Sequence, residues 1–282
     1  MLQAPQRTGL SGPTLIRLLT RLTDAEVQQS RQSLSDHLSQ WLGWTDAIAL
    51  SAALNTSPPV IAPGARLFSS AEERECVRVR TTLADAIASD TAATAAKRVA
   101  PARAPAKKLA AALAEDEFDY SSFRQRYLSL QHTMETSIGN LRSRLRGMVA
   151  ARNGEWTRLA VVDAIMDRAL LPKERALLGA IPKLLQTHFD RLRKAEEAAQ
   201  AFADADAPAD AAAEADGNAK ADGDAEAAAV APAPANAAAP APAITAGAWL
   251  DTFRADMRAV LLAELDVRLQ PVEGLLAALR TS

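Results

Sequence analysis

The 282 residues include 64 Ala, so a hydrophobic content of 49% overstates the large side chains available to a core. Leu (35) outnumbers Val and Ile together (20) and aromatics make up only 4%, a bias towards helix formers that excludes an all-β or doubly wound fold. The net charge of −2 excludes a wholly basic nucleic-acid binder and a strongly acidic solvating chain, and length alone predicts about two domains. The single cysteine, Cys76, allows no internal disulfide and no multi-thiolate metal site; a reducing compartment, the cytoplasm, is expected. Arg17 and Arg21 interrupt the best N-terminal apolar stretch, and no apolar run reaches the roughly 18 residues of a membrane span, so neither a signal peptide nor a transmembrane helix is expected.

In chain order, Pro13 suits a first helical turn and is followed by Leu15, Ile16, Leu18, Leu19 and Leu22. Thr23 and Glu26 have capping-box spacing and predict a restart through Val27, Leu34, Leu38, Trp41 and Leu42 to Gly43. Thr45 then caps a short Ala/Leu helix ending near Asn55, and Pro58, Pro59, Pro63 and Gly64 force a loop. Ser70 and Glu73 repeat the capping-box spacing and open a helix through Val77, Leu83 and Ile87 that dissolves into Ala and Thr after Asp90. The stretch from Lys97 to Lys108, with five cations, two prolines and no acid, reads as a basic linker.

The strongest pattern follows. Phe123, Tyr127, Leu130, Met134, Ile138, Leu141, Leu145 and Met148 succeed one another at steps of three and four, the period of a helix holding one stripe against a partner. Asn153 and Gly154 break it, and a second helix carries Trp156, Leu159, Val162, Met166 and Leu170. Pro172 is expected to open a third, through Leu177, Ile181, Leu184, Leu185, His188, Phe189 and Leu192, with Pro182 kinking it. Residues 206–246 hold 21 Ala, 5 Pro and seven acids against one Lys, a composition expected to stay disordered. The last helix, Ala248 to Arg280, places Leu250, Phe253, Met257, Val260, Leu261, Leu265, Leu269, Val272, Leu276 and Leu279 on one side, with a bend at Pro271. At 1.5 Å per residue it and the helix from Tyr120 to Arg152 are each about 50 Å long, a match that suggests docking.

Motifs for chemistry are scarce. His37, His132 and His188 lie far apart, no HExxH occurs, and His132 with Glu135 reverses the Glu-x-x-His order of carboxylate-bridged metal bundles; no metal site is expected. No glycine-rich phosphate loop, GxSxG elbow or histidine-paired Cys76 is present, so no cofactor and no catalytic residue is assigned. Six arginines, Arg124, Arg126, Arg142, Arg144, Arg146 and Arg152, face only Glu135 along the strongest helix. Arg142, Arg144 and Arg146 form a basic face that, with linker 97–108, fits a phosphate backbone or an acidic partner. Because Arg142 and Arg146 repel at four-residue spacing, an acid is expected near them, and the acidic stretch 206–246 is the intramolecular candidate. The N-terminal helix with Arg17 and Arg21 is a minor membrane-surface candidate.

The opening APQRTGLSGPTLIRLLTRLTD, the segment WLGWTDAIALSAALN (residues 41–55) and the stretch LAVVDAIMDRALLPKERALLGAIPKLLQTHFDRLR together resemble an uncharacterised helical family of proteobacteria, a domain of unknown function. The resemblance spans most of the chain outside the linkers and carries over no catalytic or binding residue. Relatives encoded near OmpA-like and motor-stator-like membrane proteins imply a role beside an envelope complex.

The resulting expectation is an all-α protein: an N-terminal helical block (1–98), a basic Ala/Pro linker (99–118), a long antiparallel, coiled-coil-like hairpin (119–205), an acidic Ala/Pro linker (206–246) and a C-terminal amphipathic helix (247–282). Its expected work is non-enzymatic scaffolding through a protein partner or self-association, with Phe253, Met257 and Leu261 on the last helix and Tyr127, Met134 and Ile138 on the hairpin as anchors. The alternatives are nucleic-acid binding through the arginine-rich helix 120–152, and an enzyme without a recognisable motif.

Overall fold

The computed structural model describes residues 13–24, 32–55, 68–99, 119–152, 154–205 and 247–281, and every regular element among them is a helix, as the composition requires. In chain order they are α1 (Thr14–Thr23), α2 (Leu34–Trp41), α3 (Trp44–Asn55), α4 (Ser70–Val99), α5 (Tyr120–Ala150), α6 (Gly154–Leu178), α7 (Ile181–Ala205) and α8 (Ala248–Arg280).

Helix α8 is the hub. It packs against α5, α4, α7 and α1, and burial extends most of the way round it, because Val260, Leu261, Ala263, Glu264 and Leu265 are all buried within six positions. Helix α5 buries a narrower stripe, Tyr120, Phe123, Tyr127, Gln131, Met134, Ile138, Leu141, Leu145 and Val149. Gln131 and Val149 therefore replace the expected Leu130 and Met148, which are only partly buried. A step of four from Tyr127 aims Gln131 at α8, where Glu264 accepts from it. Helix α6 packs back on α5, and Thr157 donates to the Ala150 carbonyl at 2.7 Å. The α8 C-terminus is closed by Arg152, which donates to the Ala278 carbonyl at 3.3 Å and the Leu279 carbonyl at 2.6 Å, a cation where the helix dipole favours one.

The two prolines exchange the roles expected of them. Pro172 lies inside α6, which continues to Leu178, and the break falls at Gly179 and Ala180. There the Gly179 amide donates to the Arg175 carbonyl at 2.9 Å, and a Cβ on Gly179 would stand 2.8 Å from that oxygen. Pro182 occupies the first turn of α7 rather than kinking it, a place where its missing amide hydrogen leaves no bond unmade.

Helix starts also shift. The box at α4 is Ser69 with Glu72, not Ser70 with Glu73: the Ser69 amide donates to Glu72 Oε2 at 2.9 Å, and the Ala71 amide to Ser69 Oγ at 3.2 Å. The helix does not dissolve after Asp90 but runs to Val99. Thr23 ends α1 instead of capping a new helix, its hydroxyl donating back to the Leu19 carbonyl at 2.8 Å; Glu26 and Val27 lie outside the described residues. The box that opens α2 is Ser33 with Asp36. Pro271 sits within α8 without interrupting it.

Helices α2 and α3 stand apart from this core. Neither holds a buried residue, and both pack on α6, whose Ile165 is buried outside the main cluster. Arg168 of α6 pairs with Asp46 of α3 at 3.1 Å.

Candidate functional site

The six anchors expected to meet a partner are buried in the core of the chain itself. Phe253, Met257 and Leu261 of α8 and Tyr127, Met134 and Ile138 of α5 are all at most 5% exposed, so the seams offered to an outside protein are occupied within the chain. At one end of the α5–α8 seam the ring of Phe253 sits 5.2 Å from Phe123 and 5.0 Å from Phe189, which stands 5.0 Å from Trp249, all edge-on or tilted as aromatic quadrupoles prefer. This placement corrects the anchor assignment: α8 finds its partner surface in cis.

The basic face is likewise engaged. Arg142 bonds Asp163 and Asp167 with contacts of 2.5 Å, and Arg146 bonds the same two carboxylates at 2.6 Å. Burial opposes the charge on Arg146, yet Asp167 and Asp163 outweigh it and hold its pKa above the usual guanidinium value. The acid that relieves the Arg142–Arg146 repulsion is thus the i, i+4 aspartate pair of α6 rather than the stretch 206–246, which lies outside the described residues. Arg144 is about half exposed and pairs with Glu75 of α4 at 3.2 Å; residues 100–108 of the basic linker are not among those described.

Two polar clusters hold α8 in place. In the first, Glu264 is fully buried and accepts from Tyr127 Oη at 2.6 Å, from Gln131 Nε2 at 3.0 Å and from Arg268 Nε at 2.9 Å. Gln131 also donates to the Leu178 carbonyl at 3.1 Å, and Arg268 reaches Glu174 at 2.9 Å. Burial, then the Glu264 charge, hold the Tyr127 phenol protonated far above its ordinary range. Burial also pushes the Glu174 carboxyl up, against the pull of Arg268. Every group in this cluster has a partner, so it fixes the lateral register of α8 and leaves no reactive atom poised. The legible signal was Glu264 and Arg268, an i, i+4 pair of opposite charge beside the apolar stripe of α8. In the second cluster His188, 4% exposed, bonds Asp256 at 2.9 Å and Arg191 at 3.2 Å.

A cleft of about 430 Å³ lies between α4 and α8, floored by Leu269, Val272 and Leu276 and flanked by Cys76. The ion pairs of Glu73 with Arg280 and of Arg80 with Glu273 cross it, and burial pushes the Cys76 thiol up, away from the reactive thiolate. Among the described residues no group of three or more His, Cys, Asp or Glu is placed to hold a metal ion, and no helix is long and apolar enough to cross a membrane. The membrane-surface candidate α1 turns Leu15 and Leu22 into the core.

Of the exposed large hydrophobics, Trp44, Ile48 and Leu54 lie together on α3. Asp46, Ala49, Leu50 and Ala53 form the half-covered side against α6, and Trp44, Ile48, Ser51 and Asn55 face the opposite way, exposed. Trp44 is 83% and Ile48 54% exposed. The one charge in WTDAIALSAALN is Asp46, engaged by Arg168, so the outer face carries none. A helix apolar all round is ordinarily buried all round; α3 is covered on one side only. The sequence quoted for the resemblance held this signal, but composition does not say which side faces α6.

The chain belongs to the family described as "Protein of unknown function (DUF3348)", whose model matches residues 1–221 and 219–281. No match was found among curated proteins. No solved structure matches either.

Proposed function

We propose that the chain is a non-enzymatic helical adaptor, acting in the cytoplasm through protein–protein interaction, and that the outer face of α3 is its docking surface. The observation that carries this reading is the pairing of an 83%-exposed Trp44 with Ile48 on an uncharged helix face turned away from its own core. An exposed tryptophan beside an exposed isoleucine is the composition of binding hot spots, and burying the two removes unfavourable contact with water. A convex helix face calls for a concave partner, so the occupant is a protein offering an apolar groove. With no charge on the face, affinity comes from apolar burial and not from ion pairing.

The test is a photo-crosslinking amino acid at position 48 of the full chain in cells, with and without Trp44→Asp. One discrete crosslinked protein that disappears with Trp44→Asp supports the reading; no product, or one indifferent to Trp44→Asp, overturns it. Fractionation of that product reports whether the partner sits at the envelope, the setting that the family resemblance implies. Because Trp44 makes little contact with the core, Trp44→Asp is expected to leave stability within about 0.5 kcal/mol, so lost crosslinking reports binding and not unfolding.

A further inference from the structure

The strongest feature that the adaptor reading does not use is the junction where α1 meets α7 and α8. Arg191 of α7 is a three-way tie: it donates to the Leu22 carbonyl at 3.0 Å, pairs with Asp24, and reaches His188 Nδ1 at 3.2 Å. Asp24 holds the left-handed conformation at the C-cap of α1, with φ of 50°, which turns the chain end towards Arg191. On the far side of the ring, His188 Nε2 bonds Asp256 of α8 at 2.9 Å, and Arg21 of α1 reaches the same carboxylate at 3.5 Å. The ring itself is buried beside Phe253, 6.2 Å away.

A guanidinium has donors and no acceptor. The bond to Arg191 therefore requires a lone pair on His188 Nδ1, which leaves the single proton of the neutral ring on Nε2, donated to Asp256. Among the described residues, the charged groups bonded around the ring are Arg21 and Asp24 from α1, Arg191 from α7 and Asp256 from α8. Two cations and two anions balance while the ring is neutral. A second proton on Nδ1 strengthens the bond to Asp256 and replaces the Arg191 bond by two N–H groups facing each other across two positive charges. Undocked, α1 frees Arg191 to turn into water and the conflict disappears. Protonation is thus linked to release of α1, while the α7–α8 contact survives.

The geometry points to a proton-controlled latch: the neutral His188 ring, through Arg191, holds α1 on the α7–α8 surface, and a second proton on the ring releases it. Release uncovers Leu15 and Leu22 of α1, each 5% exposed when docked, together with the apolar surface they cover. The inference does not depend on the α3 face.

Hydrogen exchange by mass spectrometry on the full chain at pH 7.5 and 5.0, corrected for intrinsic rates, tests it against His188→Gln. A glutamine offers a donor towards Asp256 and an acceptor towards Arg191 and has no proton to gain. Protection of 14–23 is expected to fall at least tenfold at pH 5.0 in the wild type, with α5 unchanged, and to change less than twofold in His188→Gln. Unchanged wild-type protection, or the same loss in His188→Gln, overturns the latch. Should the variant fail to dock α1 at either pH, ¹⁵N shifts of the wild-type ring decide. An Nε2–H tautomer at pH 7.5, whose titration tracks the loss of α1 protection, supports the latch; the Nδ1–H tautomer, or titration with α1 still protected, overturns it.

Discussion

At the residue scale the informative side chains are polar ones in an apolar seam. Glu264 satisfies Tyr127, Gln131 and Arg268 at once, and a buried charge deprived of its counter-charge costs far more than the pair gains. Glu264→Ala is therefore expected to destabilise by about 3–5 kcal/mol and Tyr127→Phe, which removes one hydrogen bond, by about 1–2 kcal/mol, both read from urea midpoints; equal effects would mean that Glu264 is not the node. Glu174 supplies the pH counterpart. Burial raises its folded-state pKa above the unfolded value of 4.5, so its contribution is full below that value and is lost as pH rises through the folded pKa. Glu174→Gln removes this dependence, so its stability relative to wild type should be more favourable at pH 7 than at pH 4. A difference that does not vary with pH would refute the assignment. None of this was legible from hydropathy. Leu130 and Gln131 are adjacent, the period admits either, and the choice was made by Glu264, 133 residues away.

At the scale of elements, the existence of the long helices was legible and their punctuation was not. Ser69/Glu72 and Ser70/Glu73 have the same spacing, and only the chain direction before α4 selects the first. Pro172 is carried inside a helix already held by α5 on one side and α3 on another, whereas the break fell at Gly179, where a side chain has no room. Gly179→Ala is accordingly expected to cost about 1–2 kcal/mol, although alanine is the better helix former; a neutral or stabilising effect in thermal unfolding would show that the close approach relaxes freely. The α2–α3 pair tests a different expectation. Ile165 of α6, buried outside the main cluster, and the exposed Arg168–Asp46 pair are the candidates for its attachment, the second worth little by itself. Ile165→Asp should abolish exchange protection in α3 while leaving α5 and α8 protected; loss of protection in all three would make α2–α3 part of one cooperative unit.

At the scale of the whole molecule, the chain's last segment is its centre. Helix α8 contributes fifteen buried residues, among them Glu264 and Arg268, and separately contacts α1, α4, α5 and α7. The matched lengths of α5 and α8 made their docking legible. The breadth of the α8 contact was not, because the expected one-sided stripe leaves out Arg254, Ala263, Glu264, Arg268 and Leu275, which are also buried. Without α8, the buried stripes of α5 and α4 and the inner faces of α1 and α7 all lose their common partner. Helices of this size are marginal in water unless an apolar face is packed. A chain ending at residue 246 is therefore expected to lose its cooperative thermal transition and to expose apolar surface to a hydrophobic dye, even though most of its residues are retained. Adding a peptide of residues 247–282 at a concentration near the millimolar range that a tether supplies should restore the transition, because docking needs only the face of α8 and not its covalent connection. Cooperative unfolding of the truncated chain at an unchanged midpoint would show that α8 decorates a core already complete; failure of the added peptide, with the truncated chain still soluble, would show that the connection through 206–246 acts as more than a tether.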